Sequence, residues 1–514
     1  MSSQETRSPA RDLGLLDATM VGMGAMIGAG IFALTGLAAE TAGPAAILVF
    51  ALNGIVTSFT ALSYAELASA IPKSGGGYAF VNEVFNDFVS FLMGWMLWFA
   101  YMIAGALYAL AFAPNFANFV RIYVTIPAAS SVAALGVKWQ VVYALIAVLL
   151  FVVLNALSTE ASGGAETVVT LIKIVVLVIF AAFGLTAART AEFDPLFTEG
   201  VTKILPAMGL TFIAFEGYDL ITTVTEEVKN PRKNIPRAIF ISMIATIIIY
   251  LVVVYVAIGN LGAAALGAAG ETGIEEAAHQ FMPEPIPVLK NGAAVIAFGA
   301  VFSTISALNA VILASSRIVF AMGRNRQMPK RLGQIHHRFG TPYTAVFASA
   351  AVMFVSVAFV PVRQVGNLSS LFFLLSFIVV NGAVIKLRRE RPDLNRPYEM
   401  PFYPAPPILG IVLNLLLGFY IDPDTWIMGI GWLALGTVVF LAFEYGGTAL
   451  GTTRDVVTED DEDGKADGES PEEESAVDGT VDLSRPMTGP DTGGPDEDRS
   501  GDEIQGAGGG TEER

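Results

Sequence analysis

The chain has 514 residues, of which 54% are apolar and only 15% charged, with a mean hydropathy of +0.59 and no cysteine. That balance excludes an ordinary water-soluble fold, and the missing thiols exclude disulfides, thiolate metal sites and cysteine nucleophiles. The formal net charge of −17 belongs to one end: residues 451–514 carry 21 acidic and 5 basic residues, which leaves the remainder close to neutral.

In chain order, the opening MSSQETRSPARDLG is polar and holds two arginines. It lacks the layout of a cleaved signal peptide, so residues 1–14 read as a cytoplasmic N-terminal segment. From there apolar runs recur, each long enough to cross a hydrocarbon core of about 30 Å. The pattern predicts an all-α polytopic membrane protein with about twelve transmembrane helices. They fall near 15–39, 44–70, 86–113, 139–157, 166–188, 203–226, 237–259, 288–320, 343–361, 367–387, 404–421 and 426–446. Lys and Arg set the orientation. With the N-terminus cytoplasmic, eighteen of the body's basic residues lie on the inner side and six on the outer, which puts both termini inside.

The first span contains GMGAMIGAGIF, residues Gly22 to Phe32, with four glycines in eleven residues. Each glycine costs a helix interior about 1 kcal/mol relative to alanine. We read a helix break at Ile27-Gly28-Ala29-Gly30. The sixth span has a second break at Phe215-Glu216-Gly217-Tyr218-Asp219, with two acids at mid-span. The breaks lie five spans apart, at matching places in two five-helix halves of opposite orientation. Paired broken helices are the best sequence pointer to a secondary transporter's binding site. A break frees N–H and C=O groups, which lipid cannot satisfy and a ligand can. The new helix N-terminus favours an anion and the freed carbonyls a cation, so a zwitterion fits both. For Gly24 and Gly36, close helix packing explains the residue equally well.

Lys173 sits about two turns into the fifth span. Either it snorkels to the cytoplasmic surface, or it faces the bundle interior and exchanges a proton during transport. An ionisable group inside a membrane is costly and functional by default, and Glu216 is read with the same alternatives: it favours a cationic substrate or carries a proton, or it is protonated and structural. Ser303, Thr304 and Ser306 offer hydroxyls that either bind sodium or bond their own helix. Glu66, Glu226, Glu227 and Arg317 lie near cytoplasmic ends, where ion pairs would hold an inner gate. Trp95, Trp98 and Tyr101 read as packing residues or interface anchors. His336-His337 has no partner pattern for a metal. The sequence holds no P-loop, dinucleotide fingerprint, nucleophile elbow or zinc spacing, so no enzyme, cofactor, metal or nucleic-acid partner is expected. The tail, 447–514, is rich in Gly, Pro, Ser and acid and is predicted to be disordered. Its acidity fits a solvated tail in a high-salt cell, or a partner-binding segment.

Four blocks carry a resemblance. GMGAMIGAGIF is one, and SYAELASAIPKSGGGYAFVNEVF (63–85) is the second. FEGYDLITTVTEEVKNPRKNIPRAI (215–239) and LNAVILASSRIVFAMGRNRQMPK (308–330) follow, with a weaker fifth block, LRRERPDLNRPYEMPFYP (387–404). In this order the chain resembles the amino acid–polyamine–organocation transporters, the amino acid permeases, over about residues 12–446. The resemblance implies a leucine-transporter-type 5+5 inverted repeat, first repeat about 15–188 and second about 203–387, plus two C-terminal helices at 404–446. It implies alternating access around a midplane site in the plasma membrane.

Carried over by position, backbone amides from Ile27 through Gly28, Ala29 and Gly30 to Ile31 would hold the carboxylate of an amino acid. Carbonyls at Ile27 and from Phe212 through Ile213 and Ala214 to Phe215 would take its ammonium. Phe212 and Phe215 would form part of the lid or the side-chain pocket, next to Glu216 and Gly217. Ile213 stands where many relatives have an aromatic gate, and Glu216 where many are uncharged. Asp219 matches a common acidic position and implies packing or gating. A lysine at position 173 fills the sodium place of sodium-driven cousins, which implies proton coupling or uncoupled exchange. The alternative left open is an ion-cotransporting or channel-like protein on the same scaffold.

Overall fold

The computed structural model describes residues 12–123, 131–132, 137–157, 163–282, 291–336 and 339–449. Residues 1–11 and the acidic tail beyond residue 449, read above as disordered, lie outside the described residues. So does His337.

Because lipid offers the backbone no partner, apolar runs fold as helices that satisfy themselves. The chain begins with α1 (Leu15–Met26), α2 (Ala29–Ala42) and α3 (Ala46–Ala70), followed by the short α4 (Gly76–Asn82) and the long α5 (Asp87–Tyr123). Two-residue strands β1 (Ser131–Val132) and β2 (Val137–Lys138) pair antiparallel, Ser131 opposite Lys138. Then come α6 (Trp139–Leu157), α7 (Gly163–Ala187) and α8 (Ile204–Thr211). Two 3-10 segments, Phe212–Phe215 and Asp219–Glu227, continue from α8. The remaining helices are α9 (Pro231–Leu261), α10 (Ala263–Ala269), α11 (Gly273–Phe281), α12 (Gly292–Arg324), α13 (Tyr343–Phe359), α14 (Val362–Glu390), α15 (Ala405–Phe419) and α16 (Pro423–Ala449).

Nine apolar stretches among the described residues are long enough to cross a membrane, the first of them, Leu15–Ala70, containing α1, α2 and α3. Helices α13 and α15 are apolar but shorter. The chain is thus a helical, multi-pass membrane protein. Several helices run past the spans read from hydropathy. Helix α9 starts at Pro231, not near 237. A proline at the first helical position loses nothing, because that N–H has no partner anyway. Pro236, one turn on, removes a single ladder bond. Helix α5 likewise runs to Tyr123 and passes through Pro114.

Helix α5 is enclosed along its apolar middle and packs along α12 and α14. Helices α6, α7, α9 and α16 turn apolar side chains outward: Leu150, Val178, Ile248 and Ile427 are all more than half exposed. In water such faces would be a liability; against hydrocarbon chains they are the proper solvent face. The two interrupted spans sit inside this ring, with α1 against α7 and α9, α2 against α8, and both α1 and α2 against α12.

Candidate functional site

The first helix stops at Met26. Ile27 (φ −75°, ψ 61°) and Gly28 (φ −102°, ψ −135°) leave helical geometry, and α2 restarts at Ala29. By position the first amides of α2, those of Ala29, Gly30 and Ile31, have no intrahelical acceptor. The second interruption is longer. After α8 the chain tightens into Phe212–Phe215, extends at Glu216 (φ −76°, ψ 145°) and reverses at Gly217, whose φ of +131° only glycine adopts freely.

The breaks touch each other. A Cβ on Gly217 would stand 2.6 Å from the amide nitrogen of Met26, and one on Gly30 would stand 2.5 Å from Cα of Ala214. These glycines therefore permit backbone to lie on backbone. Gly24 has a different neighbour: its α-carbon faces the Glu166 carboxylate and the Thr170 hydroxyl.

Polar side chains meet the carbonyls that the breaks release. The Tyr250 hydroxyl on α9 lies within hydrogen-bond reach of the Met26 and Ala214 carbonyls, 2.5 and 3.0 Å away. It joins the two interruptions through one proton donor. Ser303 on α12 donates to the Ile27 carbonyl, with that of Gly28 at 3.3 Å. The Ile213 carbonyl accepts from the Glu216 amide at 3.1 Å. Three of the carbonyls assigned by position to an ammonium group thus already hold a donor, and each keeps a second lone pair. Thr304 bonds its own helix at the Ala300 carbonyl, 2.7 Å. The Ile213 amide donates to Ser370 on α14 at 3.2 Å, which ties the second break to the surrounding wall.

The buried charges divide by partner. Asp219 accepts from the Tyr101 hydroxyl and, at 3.0 Å, from the Gly217 amide, so it holds the second turn in place. Glu216, 3% exposed, has no hydrogen-bond partner on either carboxylate oxygen among the described residues. The hydroxyls of Tyr64 and Tyr218, whose rings meet edge to face at 5.6 Å, are also unpartnered. An unpaired buried carboxylate costs several kcal/mol if ionised. Lys173 is fully buried and does not reach the surface. Its ammonium donates to the Gly24 carbonyl at 2.7 Å and to Ser306 at 3.1 Å. Gly24 lies in the last turn of α1, where a cation is favoured by about 0.3–1 kcal/mol or more when buried.

Nearer the helix ends, Glu66 is buried and takes a two-pronged hydrogen bond from Arg388, 2.7 Å on each oxygen, plus the Met400 amide at 2.9 Å. Arg317 and Glu227 approach to 3.8 Å and are both more than a third exposed. Glu226 accepts from the Ser74 amide at 3.2 Å and pairs with no base among the described residues. Trp98 donates to Ser349, and Trp95 stacks on Trp432 at 4.7 Å, as packing residues do.

A cavity of about 670 Å³ lies at the far end of α2 and is lined by Glu40, Glu192 and Glu199. A smaller one of about 100 Å³ lies beside α1, lined by Val21, Glu166, Glu227, Asn309 and Arg317. The touching breaks lie between them along the first span. Sequence reasoning missed Tyr250, Glu166 and the bond from Tyr101 to Asp219. Tyr250 sits in a uniformly apolar run, where only its hydroxyl hinted at a partner.

Two interrupted helices laid against each other inside a multi-pass bundle are the arrangement of a membrane transporter. The chain belongs to the amino acid permease family, whose model matches residues 13–443. It is 29% identical over 446 residues to the branched-chain amino acid permease BcaP of Bacillus subtilis, covering 85% of this chain and 94% of that protein. The methylthioribose transporter of the same organism is 28% identical, over 86% and 95% of the two chains. Its serine/threonine exchanger SteT is 28% identical, over 82% and 93%.

Proposed function

We propose that this protein carries amino acids across the plasma membrane by alternating access. In this reading the body has twelve crossings, ten of them in two inverted repeats and two C-terminal, with both termini cytoplasmic. The observation that carries the proposal is the contact of the two breaks, Gly30 on Ala214 and Gly217 on Met26. It gathers a helix N-terminus and a set of carbonyls at one place, with a cavity toward either end of the first span. The amides of Ile27 to Ile31 then hold the substrate carboxylate, and the remaining lone pairs at Ile27 and Phe212 to Phe215 hold its ammonium. Family membership and the relatives' printed activities support an amino acid as the substrate.

Lys173 is the coupling group in this reading. Its ammonium is fastened to the last turn of α1, so loss of the proton weakens the hold on the inner half of the first span. Proton-driven uptake and exchange both use this arrangement. Glu216 faces the substrate's side chain and discriminates by charge or hydrogen bonding. Arg317, Glu227, Glu226 and Glu66 keep the inner end closed, and Asp219 keeps the second break in register.

The test is uptake by the purified full chain in proteoliposomes. Each common amino acid, and methylthioribose because of the second relative, is offered with and without an inward proton gradient. Accumulation of an amino acid that collapses with the gradient supports a proton-coupled permease. Uptake that requires amino acid inside identifies an exchanger. Transport of methylthioribose alone, or of nothing, defeats the amino acid assignment.

A further inference from the structure

Lys173 is sealed from the lipid and from both cavities, yet a proton that drives transport must leave it for the water on one side. The residues around it provide one connected route. The ammonium donates to Ser306 Oγ at 3.1 Å. Ser306 in turn donates to Glu166, with the two carboxylate oxygens at 3.0 and 3.2 Å. Glu166 is half-buried and lines the cavity beside α1, which the proposed orientation places on the cytoplasmic side. Gly24 makes the approach feasible, because any larger residue there would run into this carboxylate.

We propose that Glu166 and Ser306 form the proton exit of Lys173 toward the cytoplasm. The inference rests on the proton-coupled reading of the transporter and adds the path. In the step, an N–H bond of the Lys173 ammonium breaks and its proton passes to Ser306 Oγ. The hydroxyl simultaneously releases its own proton to a Glu166 oxygen. Lys173 ends neutral, Glu166 ends protonated, Ser306 is unchanged, and Glu166 then yields the proton to water in the cavity. The hydroxyl must rotate before the next transfer. The charged groups around Glu166 are Lys173, on its own helix and one hydroxyl away, and Glu227 and Arg317, which line the same cavity; Asp17 on α1 accepts from the neighbouring Thr167 at 3.1 Å. A carboxylate flanked by an arginine and an exposed glutamate is open to solvent exchange in a way that Lys173 is not.

The experiment uses the full chain in proteoliposomes containing a pH-sensitive dye, with a mixture of the common amino acids outside and an inward proton gradient. Counterflow of radiolabelled amino acids without a gradient is measured in parallel. Ser306→Ala breaks the route without altering charge, and Glu166→Gln removes its terminal acceptor. Each is expected to lower amino-acid-dependent proton entry by about a hundredfold or more, the scale of a lost positioned proton-transfer group, while counterflow persists. Ser306→Thr, which keeps the hydroxyl, should restore coupling. Gradient-driven uptake that survives both substitutions overturns the route and leaves Lys173 coupling intact. Loss of counterflow together with coupling in both variants also overturns it, and assigns the pair to holding α1 in place. Wild-type protein that counterflows but ignores the gradient overturns proton coupling itself, and the exit with it.

Discussion

Gly30 and Ala214 meet with no room for a side chain between them: a Cβ on Gly30 would lie 2.5 Å from Cα of Ala214. The neighbour is backbone and cannot rotate away. Gly30→Ala must therefore push the two breaks apart, at about 1–3 kcal/mol for an overpacked site. Transport should fall by more than stability, because the same contact shapes the proposed substrate site. Gly382 on α14 is the control, since nothing stands within 4 Å of its would-be Cβ. Gly382→Ala should leave uptake unchanged and stabilise slightly, as alanine is the better helix former. Uptake and thermal unfolding of the two variants, measured side by side, decide the matter. Equal losses would mean that the Gly30 contact is not special.

Tyr250 fastens both breaks by one hydroxyl, near Met26 and Ala214. Tyr250→Phe keeps the ring, which packs against Phe50 and Phe215 at 5.9 and 5.3 Å. It removes the one proton these carbonyls share: Met26 keeps the Gly28 amide at 2.7 Å, whereas the Ala214 carbonyl loses its donor, at about 1–3 kcal/mol. The variant should unfold at lower temperature and bind substrate more weakly, with substrate-induced thermal stabilisation as the readout. A variant as stable and as responsive as wild type would show that the bond adds nothing.

How much of this was legible beforehand differs by kind. The membrane class, the helical runs and both breaks could be read from Gly28, Gly30 and Gly217, because lipid makes hydropathy and irregular backbone conspicuous. The charged residues were also legible as exceptions, including the buried Lys173 and Glu216. What was not legible was partnership. Tyr101 sits in the third span and Asp219 in the second break, 118 positions apart, and no local pattern joins them. Glu166 resembled an ordinary helix-start acid, and Tyr250 one aromatic among many. Helix α9 extends beyond the span read from hydropathy, starting at Pro231, because its first turns are polar and only the apolar part of a helix registers as a crossing.

On the outer side in the proposed orientation, α11 holds Glu275, a buried carboxyl with Asn118 donating to it at 3.2 Å. Burial pushes its pKa up from 4.5 to about 7, and Glu276 adds to the rise, while the Asn118 bond opposes it. The folded protein therefore keeps this proton over a range in which the unfolded chain has lost it. Between about 4.5 and 7 the native state binds more protons, so stability falls as pH rises through that window. The loss is on the order of 2–3 kcal/mol. Thermal unfolding across the window should show the decline, and Glu275→Gln should flatten it. An unchanged slope in the variant would place the titration elsewhere.

The two ion pairs at the end that the proposed orientation places inside should behave in opposite ways. Glu66 is 1% exposed at its side chain and Arg388 19%, joined by two parallel 2.7 Å bonds, with the guanidinium also over the Tyr403 ring at 4.2 Å. Removing one partner strands the other inside the protein, at about 3–5 kcal/mol when burial is complete. Arg388 retains some access to water, so Glu66→Gln should cost somewhat less. Arg388→Lys should not rescue the wild-type pairing, because an ammonium cannot reproduce the planar fork. The double variant Glu66→Gln with Arg388→Met should lose less than the two single changes combined, since neither of these two charges is then left alone; Arg396, 3.9 Å from Glu66 and 7% exposed, still loses its carboxylate, so part of the cost remains. By contrast, Arg317 and Glu227 are 37% and 39% exposed and 3.8 Å apart, a geometry worth about 0–1 kcal/mol. Glu227→Gln should barely move the melting temperature, yet it should change transport if this pair closes the cavity beside α1. Unfolding curves for the whole set, at low and high salt, test both halves. A strong salt dependence of the Glu66 pair, or a large stability loss at Glu227, would reverse the assignment of which pair holds the fold and which one moves.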